Sequence, residues 1–195
     1  MSPSWIEVIE WVSLLSGIAY VLLEIGQHNA MWVVGIVTGA ACAVSFLWQH
    51  AWASTALNLY YVGVSFWGLW QWRRDKAAEE GGGDAILIRR PSRGVILLSA
   101  ALLLGGTPLL AYGLSASGDP APWLDGFALT LSAVATWWLG RSYPQQWLLW
   151  IVADAVTTGL CIALGRYLMV ALYAVYTVSA VYGYFHWIHK GKKIV

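Results

Sequence analysis

Apolar residues run along this chain in blocks of about twenty, separated by short polar links, and the rhythm holds throughout. Seven blocks can be marked, roughly 4–25, 29–48, 52–72, 94–115, 122–139, 144–164 and 167–188. At a rise of about 1.5 Å per residue, each can cross a hydrocarbon core of about 30 Å as a helix. A helix satisfies its own backbone hydrogen bonds, which lipid cannot do, so the pattern predicts seven transmembrane helices. Blocks 2 and 3 are joined only by Trp48-Gln49-His50-Ala51, and blocks 6 and 7 by Gly165-Arg166, which forces antiparallel neighbours. The one long polar stretch, Arg73 to Arg93, has Glu79-Glu80-Gly81-Gly82-Gly83-Asp84 at its middle and reads as a flexible loop between two halves. About 20 residues are too few for a folded domain of their own.

Composition agrees. Of the 195 residues 59% are hydrophobic and 11% charged, against about 25% charged in a soluble domain. The 14 Trp suit headgroup boundaries and also the stacking of a flat ligand. A net charge of +1 gives no sign of nucleic-acid binding, and Lys190-Gly191-Lys192-Lys193 is too short to be a nucleic-acid arm. Cys42 and Cys161 fall inside expected helices and read as core or site-lining thiols rather than a disulfide. No Lys or Arg and no small-residue cleavage site precedes the first block, so a removable signal peptide is not expected.

Charge distribution sets an orientation. Arg73, Arg74, Lys76, Arg89, Arg90, Arg93, Arg141, Lys190, Lys192 and Lys193 share one side of a seven-span arrangement, and Arg166 alone lies on the other. The positive-inside rule makes the first side cytoplasmic, with the N-terminus outside and the C-terminus inside.

An internal repeat is also visible. Sliding 32–74 onto 147–189 without a gap brings Trp32 onto Trp147, Ile36 onto Ile151, Val37 onto Val152, Ala40 onto Ala155, Leu57 onto Leu172, Tyr61 onto Tyr176, Gly68 onto Gly183 and Trp72 onto Trp187. Helices 1 and 5 match poorly, with Ser16 near Ser132. Three helices thus correspond to three, and helix 4 is a connector that leaves both triplets the same way up. The expected organisation is a first three-helix bundle at 1–72, a cytoplasmic loop at 73–93, a connector helix at 94–115, a second bundle at 116–189 and a cytoplasmic tail at 190–195. Transporters built on such repeats hold substrate near the midplane, between the halves.

Trp147, Trp150 and Asp154 form the most suggestive cluster, since their spacing puts all three on one helical face, continued by Thr157, Thr158 and Cys161. Asp154 lies about ten residues into its span. A carboxylate there costs at least about 2.5–3.5 kcal/mol unless it faces a cavity or a partner. Either the two indoles stack on an aromatic ligand while Asp154 meets its hydroxyls or positive charge, or Asp154 is a hydrogen-bonded structural residue beside two interface tryptophans. The matching face of the first half is Trp32, Gly35, Gly39, where the glycines suit close helix packing. On helix 7, Tyr173, Tyr176, Thr177, Ala180 and Tyr184 share a face; on helix 3, Asn58, Tyr61, Val62 and Ser65 do. Asn58, Tyr61, Tyr173 and Tyr176 are candidate ligand contacts, with interhelical hydrogen bonding as the alternative. Glu24 and Gln27 at the inner end of helix 1, and Glu7 and Glu10 near its outer end, read as solvated or snorkelling. Trp70, Trp72 and Trp187 precede basic residues and read as interface anchors. His186 and His189 have no carboxylate at metal-ligand spacing. The Gly81–Gly83 run is not followed by Lys, so it is no phosphate-binding loop. No metal, cofactor, ATP site or catalytic triad is expected.

The segment Trp147-Leu148-Leu149-Trp150-Ile151-Val152-Ala153-Asp154 resembles the W-x-x-W-x-x-x-(N/D) motif of the PnuC family of bacterial vitamin transporters. Leu57, Tyr61, Gly68 and Trp72, and the ending Tyr182-Gly183-Tyr184-Phe185-His186-Trp187, are similar to that family too, so the likeness covers nearly the whole chain. It implies an all-α membrane fold with a 3+1+3 helix arrangement similar to SWEET transporters, placed in the bacterial inner membrane. It further implies import of nicotinamide riboside by facilitated diffusion, with trapping by a cytoplasmic kinase. Related subfamilies carry thiamine, riboflavin or deoxynucleosides, and homotrimers occur. Asp154 stands where many nicotinamide riboside members have Asn; a carboxylate suits a cationic ring, which thiamine also carries. The expected mechanism is alternating access, with the ring on Trp147 and Trp150 and the polar part held by Asp154, Asn58 and Thr158. The competing classes are a membrane enzyme using Asp154 as acid or base, which lacks a second catalytic group, and a structural membrane protein without a cavity.

Overall fold

The computed structural model describes residues 17–48, 52–79, 85–165 and 167–194. Residues 1–16, with Glu7, Glu10 and Ser16, lie outside the described residues, as do 49–51, the Gly81–Gly83 run and Arg166. Seven helices are present among the described residues: α1 at 17–25, α2 Ala30–Trp48, α3 Trp52–Ala78, α4 Arg93–Ala116, α5 Pro122–Gly140, α6 Gln146–Ala163 and α7 Tyr167–Lys190. The described parts of the apolar blocks are thus helical, the first block being described from residue 17 onward. Many of their outward side chains stay exposed, including Leu97, Leu104 and Leu109 on α4 and Val178 on α7. A water-soluble fold would have to bury such helices, whereas lipid is their natural surrounding. Hydroxyls within the spans bond back to their own helices: Thr130 to the Gly126 carbonyl, Ser132 to Ala128, Thr136 to Ser132 and Thr177 to Tyr173.

Helix packing follows the small residues. α2 packs on α3, α4 on α5, α5 on α6, and α6 on α7. A methyl group on Gly39 would come 2.9 Å from Val62, and one on Gly35 would come 2.9 Å from the Ser65 hydroxyl, so both glycines serve close contact of α2 with α3. Gly126 lets α5 approach the α4 backbone at Thr107 and Ala111. The Tyr60 hydroxyl donates to the Ala133 carbonyl at 2.6 Å, tying α3 to α5.

Four buried tryptophans make an aromatic chain across the bundle at the end that carries the α1–α2 and α5–α6 links. Trp32 meets Trp72 edge-on at 5.0 Å, Trp72 lies 6.3 Å from Trp187, and Trp187 meets Trp147 edge-on at 5.8 Å. Trp32 sits over Gly68 and Trp147 over Gly183, where an added methyl would come within 2.6 and 2.7 Å of the rings. These are pairs matched by the 115-residue shift. Trp72 donates its indole N–H to the Leu139 carbonyl, and Trp187 to Ile25. Neither is an interface anchor: they are 1% and 0% exposed, with their N–H groups satisfied by carbonyls inside the bundle, whereas Trp70 is exposed.

The links α1–α2 and α5–α6 share one backbone geometry. Gln27 has φ of 52° and Ser142 has φ of 59°, and the two lie 115 residues apart. Around them Gln27 N–H donates to Glu24 O and His28 N–H to Leu23 O; correspondingly, Ser142 N–H donates to Leu139 O and Tyr143 N–H to Trp138 O. Glu24 and Gln27 are not solvated, being 3% and 1% exposed. Of the two cysteines, Cys161 is buried but Cys42 is exposed.

The stretch 73–93 is less of a loop than its polarity suggests. α3 runs on to Ala78, and Ile86, Leu87 and Ile88 form a buried apolar island. Within it, β1 (Leu87–Ile88) pairs in parallel with β2 (Lys192–Lys193), so the basic tail is paired as well. The Arg89 guanidinium grips Asp75 with bonds of 2.5 and 2.8 Å, and that hydrogen-bonded carboxylate holds Arg89 above its ordinary pKa. Lys192 pairs with Glu79.

Candidate functional site

A cavity of about 510 Å³ lies inside the bundle. α6 supplies Trp147, Trp150, Ala153, Asp154 and Thr157; α1 supplies Gly17, Tyr20, Val21 and Glu24. The remaining walls are Val34 and Thr38 of α2, Tyr61 of α3, the α5 residues from Asp125 to Ser132, and Tyr173, Tyr176 and Ala180 of α7. At one end Trp147 joins the aromatic chain to Trp187, about one turn from the α5–α6 link. Asp125, in the first turn of α5, belongs to the opposite end.

Its chemistry is aromatic and acidic. Trp147 and Trp150 carry buried indole N–H groups that meet no acceptor among the described residues. A buried donor left unpaired is costly, so both N–H groups are free to take an acceptor. Asp154 is 7% exposed, and no hydrogen-bond donor among the described residues reaches its carboxyl. Glu24 accepts from the Gln146 side chain at 3.2 Å. Asp125 brings a third carboxyl, and no Lys or Arg is in the described lining. Tyr173 and Tyr176 meet edge-on at 6.0 Å. An arrangement of indoles, phenols and carboxyls without a cation can stack on a flat ring, hydrogen-bond hydroxyls and offset positive charge.

Six of the eight candidate ligand contacts come together here: Trp147, Trp150, Asp154, Tyr61, Tyr173 and Tyr176. Thr158 does not. It lies about 100° around the helix from Thr157, and its hydroxyl donates to the Asp154 backbone carbonyl at 2.7 Å. Asn58 is also outside the lining, one turn from Tyr61 on the part of α3 whose backbone packs on Gly39. Tyr184 packs instead against the buried aromatic cluster. Sequence reasoning missed Tyr20, Glu24, Thr38, Asp125 and Ser132 as wall residues. The available signal was a second acidic side chain, Glu24, at the inner end of an apolar block.

Apolar helices enclosing an acidic, indole-lined chamber define a multi-span membrane protein made to hold a small ligand. Residues 7–189 match the family described as "Nicotinamide mononucleotide transporter". The chain is 27% identical to the nicotinamide riboside transporter PnuC of Neisseria mucosa, over 91% of this chain and 79% of that one. It is 27% identical to the same-named transporter of Haemophilus influenzae, with the same coverage, and 20% identical to that of Escherichia coli, over 97% and 87%. A structure described as "Crystal structure of the Vitamin B3 transporter PnuC" aligns with a TM-score of 0.69 at 26% identity, covering 96% of this chain and 82% of that one. The chain belongs to this PnuC transporter family, and is a membrane transporter.

Proposed function

We propose that this transporter imports nicotinamide riboside by facilitated diffusion, with the N-terminus outside, the C-terminus in the cytoplasm, and phosphorylation inside the cell trapping the product. One observation carries the reading: a 510 Å³ chamber joins two indoles with unpaired N–H groups to a carboxyl without a cationic partner. In this account the pyridinium ring stacks between Trp147 and Trp150, with Asp154 offsetting its charge. The ribose hydroxyls lie among Tyr61, Tyr173, Tyr176 and Thr157, while Thr158 and Asn58 act from behind the lining, at the α6 backbone and the α2–α3 seam. The names of the curated relatives support the substrate.

The proposed arrangement is 3+1+3, with α4 as connector between α1–α3 and α5–α7. It is supported by the Gln27 and Ser142 links and by the matched Trp32–Gly68 and Trp147–Gly183 contacts. Both links lie on the side proposed as cytoplasmic, next to the β1–β2 pair, so transport requires this end to open as one triplet rocks against the other. A thiamine-type substrate is the second reading, favoured by the acidic lining, because its ring is also cationic. Proteoliposome uptake of labelled nicotinamide riboside and thiamine separates them. The proposal expects uptake of the riboside that stops when internal and external concentrations are equal, without an imposed ion gradient. Uptake of thiamine alone, or of neither, would overturn it.

A further inference from the structure

Glu24 has no place in the helix-6 motif, yet it shares the chamber with Asp154. It comes from α1 in the other half of the chain, and it is 3% exposed. Its one described side-chain donor is the neutral amide of Gln146, at 3.2 Å. Gln146 is itself fully buried, and its own Oε1 meets no donor among the described residues. The amide is therefore turned so that its N–H serves Glu24 while its acceptor goes unmet. In this orientation Glu24 takes the one described amide donor within reach.

Carboxyl groups kept from water are stable when a cation or several donors accompany them. Here Glu24 and Asp154 occupy two different walls of one chamber, with no Lys or Arg in the described lining. The other ionisable side chains facing it are Tyr20, Tyr61, Asp125, Tyr173 and Tyr176, none of them a cation. What the chamber lacks is positive charge, and a ligand can bring it. A neutral ligand of the same shape would stack equally well on the indoles but leave both carboxyls without compensation.

We propose that Glu24, oriented by Gln146, is a specificity residue that selects a substrate with a fixed positive charge over its neutral isostere. The inference rests on the functional reading above and deepens it, by assigning charge selection to a residue of the first helix as well as to Asp154. Nicotinamide riboside and its 1,4-dihydro form make a suitable pair, since they differ in ring charge and little in size.

Calorimetric titration of the full-length protein in detergent with both compounds tests this. Wild-type protein should bind the cation at least about tenfold more tightly than the neutral form, a difference of about 1.4 kcal/mol. Glu24→Gln, which keeps the shape and a hydrogen-bonding amide, should lose most of that preference by weakening the cation while the neutral form stays within about threefold. Equal binding of the two compounds by wild-type protein would overturn the inference, and this arm needs no variant to fold. An unchanged ratio in Glu24→Gln, or equal weakening of both ligands, would overturn it while leaving riboside binding intact. Wild-type protein that binds neither compound would overturn the functional reading as well, so the two failures are distinguishable.

Discussion

The side-chain amide of Gln27 donates to the Ser142 hydroxyl at 3.2 Å, joining two residues 115 positions apart that hold the same left-handed backbone in the two halves. Gln27 also donates to the Leu87 carbonyl at 2.9 Å and accepts from the Leu87 N–H at 2.7 Å. The Arg89 N–H in turn bonds the Ser142 carbonyl. A short strand is thereby fastened to both links at once. Gln27→Leu should leave the Leu87 N–H, the Leu87 carbonyl and Ser142 short of partners in a buried place. A loss of about 2–4 kcal/mol is expected, read as a lower midpoint in thermal unfolding in detergent.

Asp75 and Arg89 fasten the same strand to the end of α3. Asp75 is buried and Arg89 mostly so, and paired two-point contacts of this kind are the stronger ones. A double-mutant cycle with Asp75→Asn and Arg89→Gln should give a coupling of about 1–2 kcal/mol in unfolding. Additive effects of the two substitutions would show that the pair contributes nothing.

Gly68 and Gly183 are equivalent in the repeat, but only the second faces a chamber residue. Gly183→Ala would push on Trp147 and Gly68→Ala on Trp32. Overpacking should cost about 1–3 kcal/mol of stability in each. Substrate affinity should fall further in Gly183→Ala, a difference that equilibrium binding alongside thermal unfolding would detect.

Trp150→Ala and Asp154→Ala should each abolish liposome uptake while the protein stays folded by size-exclusion chromatography. Trp150→Phe keeps an aromatic face and removes the unpaired N–H, so its uptake should fall by only about three- to tenfold.

Much of the fold was legible because lipid imposes a simple rule: apolar blocks of spanning length become helices. The paired tryptophans show where the rule runs out. Trp70 and Trp72 both precede basic residues, but Trp70 faces outward and Trp72 is sealed. Position relative to charge cannot separate them, whereas the repeat could: Trp72 and Trp187 align, as do the glycines one turn before each, which marks a shared internal face. Glu24 was hidden for a different reason. A carboxyl at the end of an apolar block usually reaches water, whereas this one is buried and its described side-chain partner, Gln146, lies 122 residues away. The island Ile86-Leu87-Ile88 was visible as apolar residues within a polar stretch, but its partner at 192–193 is a contact no local pattern announces. On α6, the spacing marked a face of which Trp147, Trp150, Asp154 and Thr157 line the chamber, whereas Thr158 and Cys161 do not.

The most direct check is a structure of the protein with nicotinamide riboside bound. The ring should lie against Trp147 and Trp150, with Asp154 beside it and an acceptor of the ligand near at least one indole N–H. A ligand lodged anywhere else, or a chamber that stays empty at saturating riboside, would contradict the account.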